Sequence, residues 1–173
     1  MAPDVKEAAS SAAPASLSTL IEERALTALI HRAARLADER LYLDWMALFT
    51  EDGGYSAITF ENAAYSGLYL FKDVGRRALH MRAAFLMGLW QAPRGKTLHL
   101  VSNIEISLGV GGESATAVSN FLITRTPDME HSKLHACGVY YDRFQKQDGA
   151  WLFADRKVVV DTNVLPPEFT ELL

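Results

Sequence analysis

Around Lys96 the hydrophobic pattern of this chain changes its period, and that change decides the fold class. Before it, Leu26, Leu29, Ile30, Ala33, Leu36 and Ala37 recur at helical spacing, while Glu22, Glu23, Arg32, Arg35 and Glu39 mostly fall elsewhere on the wheel. After it, apolar and polar residues alternate. Leu98, Leu100, Ile104, Ile106 and Leu108 share one face of a strand over 96–108, and His99, Asn103, Glu105 and Ser107 share the other. Further strands are expected over 115–125, 134–145 and 151–161, separated by turns at Gly109–Glu113, Thr126–Asp128 and Gln147–Gly149. Helices followed by four long antiparallel strands make an α+β pattern. Such a sheet can curl around the helices into a cone with an interior pocket.

The helical half carries its own punctuation. Thr19 and Glu22 have the spacing of a capping box, so a helix is expected to begin there. Alanines 25, 28, 33, 34 and 37 let another element approach it closely. A second helix over 42–49 puts Trp45, Leu48 and Phe49 on one side, and Gly53-Gly54 is expected to supply a tight reversal. A short strand over 55–60 follows, and 61–72 show no clear period. A third helix carries Val74, Leu79, Met81, Phe85, Leu86 and Leu89 and stops at Pro93 and Gly95. Residues 2–17 are rich in Ala, Ser and Pro, so 1–18 read as a tail, flexible or wrapped on a partner. Residues 19–173 then form a single domain, with Pro166-Pro167 in a closing segment on the outside or on a neighbour.

Composition narrows the function classes. The 173 residues are 49% hydrophobic and 22% charged, enough for one well-buried core. A formal charge of −4 with no basic block argues against nucleic acid. No apolar run nears the ~20 residues of a membrane span. Met1 to Ser18 shows neither the basic nor the apolar region of a signal peptide, so a cytoplasmic location is expected. One cysteine, Cys137, excludes an internal disulfide and any zinc or iron–sulfur site needing several thiolates from this chain.

No motif of stand-alone chemistry stands out. His131 and His135 have ligand spacing on a helix, but on a strand four steps separate them by roughly 13 Å, too far to share an ion; were 131–135 a loop, Asp128 could complete a His–His–carboxylate triad. Tyr42, Asp44, His80, His99, Asn120 and Asp155 are polar groups beside apolar runs, several of which could point into a cone and move protons. The plainer reading of His99 is a histidine hydrogen-bonded at a helix or subunit contact. Asp44 can simply pair with Arg40, its i−4 neighbour. Ser56, Ser66, Ser102, Ser107 and Ser119 lack elbow glycines, and residues 109–112 lack a phosphate-loop lysine. Cys137 reads as an inert thiol, Gly138 as a sheet bend, and Trp45, Trp90, Trp151, Tyr140 and Tyr141 as packing or interface anchors.

Four segments, in order, carry a resemblance. They are Asp38–Thr50 (DERLYLDWMALFT) with Asp52 and Tyr55, the arginine-bearing helix Arg76–Trp90, Pro93–Ile106 (PRGKTLHLVSNIEI), and the hairpin Gly138–Phe144 with Asp148–Asp161 (DGAWLFADRKVVVD). Together, over about residues 20–165, the chain resembles the small (β) subunit of aromatic-ring-hydroxylating dioxygenases. Lys96 stands where that family usually has arginine. The resemblance implies a cone-shaped α+β fold, NTF2-like or cystatin-like, with N-terminal helices packed in a strongly curved, largely antiparallel sheet.

It also implies a partner. In that family the large (α) subunit carries a Rieske [2Fe-2S] cluster and a mononuclear non-haem iron, in an α3β3 hexamer fed with electrons by a ferredoxin or reductase. This chain, with one cysteine, cannot hold a Rieske site. Its implied role is to scaffold the iron-bearing subunits in aromatic compound catabolism, with no catalytic, cofactor or metal residue of its own. By residue type, Trp90, Arg94, His99, Asn103, Tyr140, Arg143 and Arg156 are candidate subunit contacts. The substrate is set mostly by the large subunit, with a slight lean toward an aromatic carboxylate such as benzoate, anthranilate or salicylate. Two other readings remain open: a stand-alone dehydratase or isomerase using His99 with Asp44 or Tyr42, and a small-molecule-binding module.

Overall fold

The computed structural model describes residues 16–89, 95–165 and 172–173. Helix α1 (Leu17–Asp38) buries Leu26, Ile30, Ala33, Ala34, Leu36 and Ala37, the stripe expected from the sequence. Its N-cap is Ser16, whose hydroxyl accepts from the Thr19 amide. Thr19 and Glu22 therefore do not form the expected capping box. The Glu22 carboxylate instead accepts from Lys146 Nζ and Trp151 Nε1, each at 2.6 Å, and ties α1 to the far hairpin.

After α2 (Tyr42–Met46), strand β1 runs from Phe49 to Thr59, longer than expected. Gly53-Gly54 lies inside this strand and makes no reversal. A side chain on Gly53 would crowd the Phe49 Cβ at 3.0 Å, and one on Gly54 would collide with the Asp155 carboxylate. The glycines serve close approach. The stretch without clear period holds α3 (Phe60–Tyr65) and β2 (Phe71–Val74), and α4 follows (Gly75–Leu89).

Strands β3 (Lys96–Leu108), β4 (Ser114–Thr126), β5 (Lys133–Gln147) and β6 (Ala150–Val160) match the expected set. All six strands form one open sheet in the order β2-β1-β6-β5-β4-β3, antiparallel except for β1 beside β6. The β5–β6 turn has Asp148 and Gly149 at φ of 50° and 79°, the positive pair that a two-residue hairpin requires.

One face of this sheet is covered by the helices. Trp45, Phe49 and Tyr55 interlock there, with Trp45 4.7 Å from Phe49 and 4.8 Å from Tyr55 between ring centroids. Phe153 continues the cluster to Phe144, and Phe121 stacks on Tyr140 at 4.4 Å. Leu172 and Leu173 are buried in the same core.

Two of the sheet's four register irregularities place the side chains that matter most here. In β3, Ser102 lies opposite Asn120 but Glu105 lies opposite Val118, so one extra residue is inserted. Asn103 takes it up at φ 51°, a left-handed conformation that asparagine tolerates. The parity of the strand flips at this bulge. Ile104, Ile106 and Leu108 pack toward the core, whereas Leu98 and Leu100 point outward, 42% and 53% exposed. The five residues do not share one face, contrary to the simple alternation. The second irregularity lies between β5 and β6, where the register shifts beyond Phe144–Phe153 so that Asp142 faces Arg156 and Arg143 faces Asp155. Without that shift Asp142 would sit opposite Asp155, two like charges.

Candidate subunit interface and the closed interior

The charged residues of the inner face are locked to one another. Arg156 donates to Asp142 through Nε (2.8 Å) and Nη2 (2.7 Å), a bidentate pair with both side chains buried. The guanidinium lies 4.4 Å from the ring centres of both Tyr140 and Phe153. Burial pushes the Asp142 carboxyl above its ordinary value, and the charge and hydrogen bonds of Arg156 pull the other way.

His99 is equally committed. Its Nδ1 lies 2.6 Å from Asp38 Oδ1, and its backbone amide donates to both oxygens of the same carboxylate at 3.1 Å. Its Nε2 lies 3.2 Å from the Leu172 carbonyl. Beside it the Tyr55 hydroxyl donates to the Leu173 carbonyl (3.2 Å) and accepts from the Leu173 amide (2.9 Å). Burial pushes that hydroxyl up to about 12, and pushes the Tyr140 hydroxyl higher still, against the opposing charge of Arg156. Neither phenol exchanges protons near neutral pH. Ser119 Oγ is buried with no hydrogen-bond partner among the described residues.

The proton-moving set considered from the sequence does not assemble. Asp44, His80 and Asn120 are exposed, and Asp155, half-buried, faces Arg143 at 3.7 Å. Tyr42 is buried, but His99 pairs with Asp38 rather than with Asp44 or Tyr42. Asp38 and Asp142 were not singled out from the sequence. Asp38 lies 61 residues from its histidine, and Asp142 meets its arginine only through the register shift.

Among the candidate contacts, Tyr140 and Arg156 are buried at 1% and 2% exposure, and His99 is turned inward, so none of the three offers a surface to a neighbour. Asn103 is exposed at the bulge, and Arg143 is 69% exposed. Trp90 and Arg94 lie outside the described residues. His131 is exposed, whereas His135 is buried at the β5 end, where burial lowers its pKa from the ordinary value. Cys137 is half-buried, and burial together with Asp161 raises its thiol pKa, the setting of an unreactive cysteine. Among the described residues, no group of three or more His, Cys, Asp or Glu side chains could hold a metal. Nor, among them, is any helix long and apolar enough to cross a membrane.

The outer sheet face has the opposite character. Leu100, Leu122 and Cys137 follow one another across β3, β4 and β5, flanked by Leu98 and Leu134. Leu122 is 37% and Leu134 62% exposed, and Val118 and Tyr141 extend the patch. A groove lined by Leu100, Ser102, Asn120, Leu122, Val139 and Asp161 crosses it. A contiguous apolar surface of this kind is what a lone soluble domain avoids and an assembled one covers.

The SnoaL-like domain family matches residues 18–157. The small oxygenase component of the p-cumate 2,3-dioxygenase system of Pseudomonas putida is 31% identical over 147 residues, covering 80% of this chain and 79% of that protein. A structure described as the beta subunit of an aromatic-ring-hydroxylating dioxygenase from Novosphingobium aromaticivorans superposes with a TM-score of 0.77. It covers 90% of this chain and 99% of that one, and at 21% identity the likeness speaks for the fold. A protein of the same bacterium described as a scytalone dehydratase superposes with a TM-score of 0.64 at 26% identity, over 86% and 95% of the two chains. The fold is the expected α+β one, NTF2-like and cystatin-like.

Proposed function

Since the chain belongs to the SnoaL-like domain family and to the small (β) subunits of aromatic-ring-hydroxylating dioxygenases, we propose that it is a non-catalytic scaffold. It would hold iron-bearing large (α) subunits in register through the outer face of its sheet. The observation that carries this reading is the outward patch of Leu98, Leu100, Leu122 and Leu134, in which the Asn103 bulge separates Leu98 and Leu100 from the inward half of β3, and which no described residue covers. The name of the P. putida relative, a small oxygenase component, supports a large component as the occupant of that face.

A Rieske cluster and a mononuclear iron would belong to that large subunit, arranged with the small one as an α3β3 hexamer and supplied with electrons by a ferredoxin or reductase. The residues of this chain do not fit either centre. A Rieske site takes two cysteines and two histidines, and Cys137 is the sole cysteine. His99, the histidine best placed for chemistry, has both ring nitrogens occupied within its own protomer. The same occupation counts against a stand-alone dehydratase or isomerase, which needs that ring to face a substrate. In this reading the aromatic substrate is chosen on the large subunit.

Co-expression with the large subunit tests the proposal. Leu100→Glu combined with Leu122→Glu should abolish copurification while leaving the circular-dichroism melt of the small subunit alone within a few degrees. Undiminished copurification of the doubly substituted chain would count against it.

A further inference from the structure

Leu172 and Leu173 are held as a ligand is held. Each is 3% exposed, and their main chain, not only their side chains, is recognised. The Leu172 carbonyl meets His99 Nε2 at 3.2 Å. The Leu173 amide and carbonyl both meet the Tyr55 hydroxyl, at 2.9 and 3.2 Å. The groups that do this come from three separate elements. Tyr55 is on β1, His99 on β3, and Asp38, at the end of α1, orients His99 through Nδ1 and the backbone amide.

We propose that Asp38, His99 and Tyr55 form a peptide-binding socket in the inner face of the sheet, whose resident ligand is the chain's own Leu172–Leu173. The ligand class is an extended dipeptide with branched apolar side chains, read by one carbonyl at His99 and by an amide and a carbonyl at Tyr55. This inference goes beyond the scaffold reading and does not depend on it.

Donor and acceptor chemistry explains why the main chain of a dipeptide suits the site. Tyr55 gives and receives a hydrogen bond through one oxygen, which matches the paired N–H and C=O of a single residue. His99 Nδ1 is already engaged by the Asp38 carboxylate, which leaves Nε2 to meet a main-chain oxygen. Leu172 and Leu173 belong to the same hydrophobic core as Tyr55 and Trp45, so burial of the two leucine side chains adds an apolar gain to the main-chain bonds. Because the ligand is tethered, its effective concentration is on the order of millimolar, and a weak socket stays filled.

The test vacates the socket and refills it. In the full chain carrying Leu172→Asp and Leu173→Asp, N-acetyl-Leu-Leu-methylamide should bind at least tenfold more tightly than to the unaltered chain, by titration calorimetry. Adding His99→Ala to that variant should weaken the binding at least tenfold. Equal affinity for both chains, or binding indifferent to His99→Ala, would overturn the proposal. Should the doubly substituted chain fail to fold, hydrogen exchange of the unaltered chain decides. The Leu173 amide should be protected, and Tyr55→Phe should speed its exchange at least tenfold while β4 and β5 amides keep theirs. An unprotected Leu173 amide, or one unmoved by Tyr55→Phe, would contradict the socket.

Discussion

Each face of the sheet carries an exception to the usual rule. The inner face, under the helices, sets buried polar groups within its apolar core: Asp142 with Arg156, Asp38 with His99, and the hydroxyls of Tyr55 and Tyr140. The outer face, against solvent, holds exposed leucines. Polar groups buried in a fold of this kind invite a catalytic reading, yet the charged ones here are spent on each other. An exposed apolar stripe with nothing over it among the described residues is the face with something left to bind. The difference teaches that the polarity of a residue matters less than whether its partners lie inside the same chain.

The comparison breaks most violently at the buried pair. Asp142→Ala strands the Arg156 guanidinium in the core and should destabilise the fold by about 3–5 kcal/mol, read from urea denaturation. A loss below 1 kcal/mol would mean that the inner face is less closed than described. Gly138 comes next. A Cβ there would collide with the Val159 carbonyl and crowd the Phe121 ring, so Gly138→Ala should cost about 2 kcal/mol in the same assay.

Acid should also distinguish the faces. His135 is held below its ordinary 6.5, first by burial and then by Arg125 and His99, so the folded state prefers the neutral ring. The stability it contributes is present above 6.5 and falls as pH drops below that value. His135→Gln should flatten this part of a stability–pH profile. A smaller effect of the same sign belongs to Glu22, held below 4.5 by its bonds to Lys146 and Trp151. Its contribution is full above 4.5 and is lost as pH falls through the lower folded value. Glu22→Gln should remove that step, seen as earlier exchange of the first turns of α1. The smallest expected effect on stability is on the outer face, where Leu98→Gln should change unfolding by no more than about 0.5 kcal/mol.

Much of the architecture was legible in the sequence because it rests on periodicity. The α1 stripe and the four long strands follow from spacing alone, and so does the Asp148–Gly149 turn. What was not legible depends on single inserted residues. Alternation placed Leu98 and Leu100 with Ile104, Ile106 and Leu108, and only the left-handed Asn103 separates the two groups. Asparagine was the available signal, since it tolerates that conformation better than its neighbours in the strand. The inner pairs were hidden for a different reason. Asp38 and His99 meet across a helix–sheet contact that no local pattern records, so the sequence points to a hydrogen bond at a helix contact for His99 without naming its partner, and only the alternative reading pairs it with Asp44 or Tyr42. The glycines 53 and 54 were misread because glycine serves both turns and close packing, and neighbouring side chains decide which.

The outer face can be examined directly by hydroxyl-radical footprinting of this chain, alone and in complex with the proposed large subunit. The account predicts that Leu98, Leu100, Leu122 and Leu134 lose most of their reactivity in the complex. Protection confined to the α3 and β2 edge, with these four leucines as reactive as in the free chain, would contradict it.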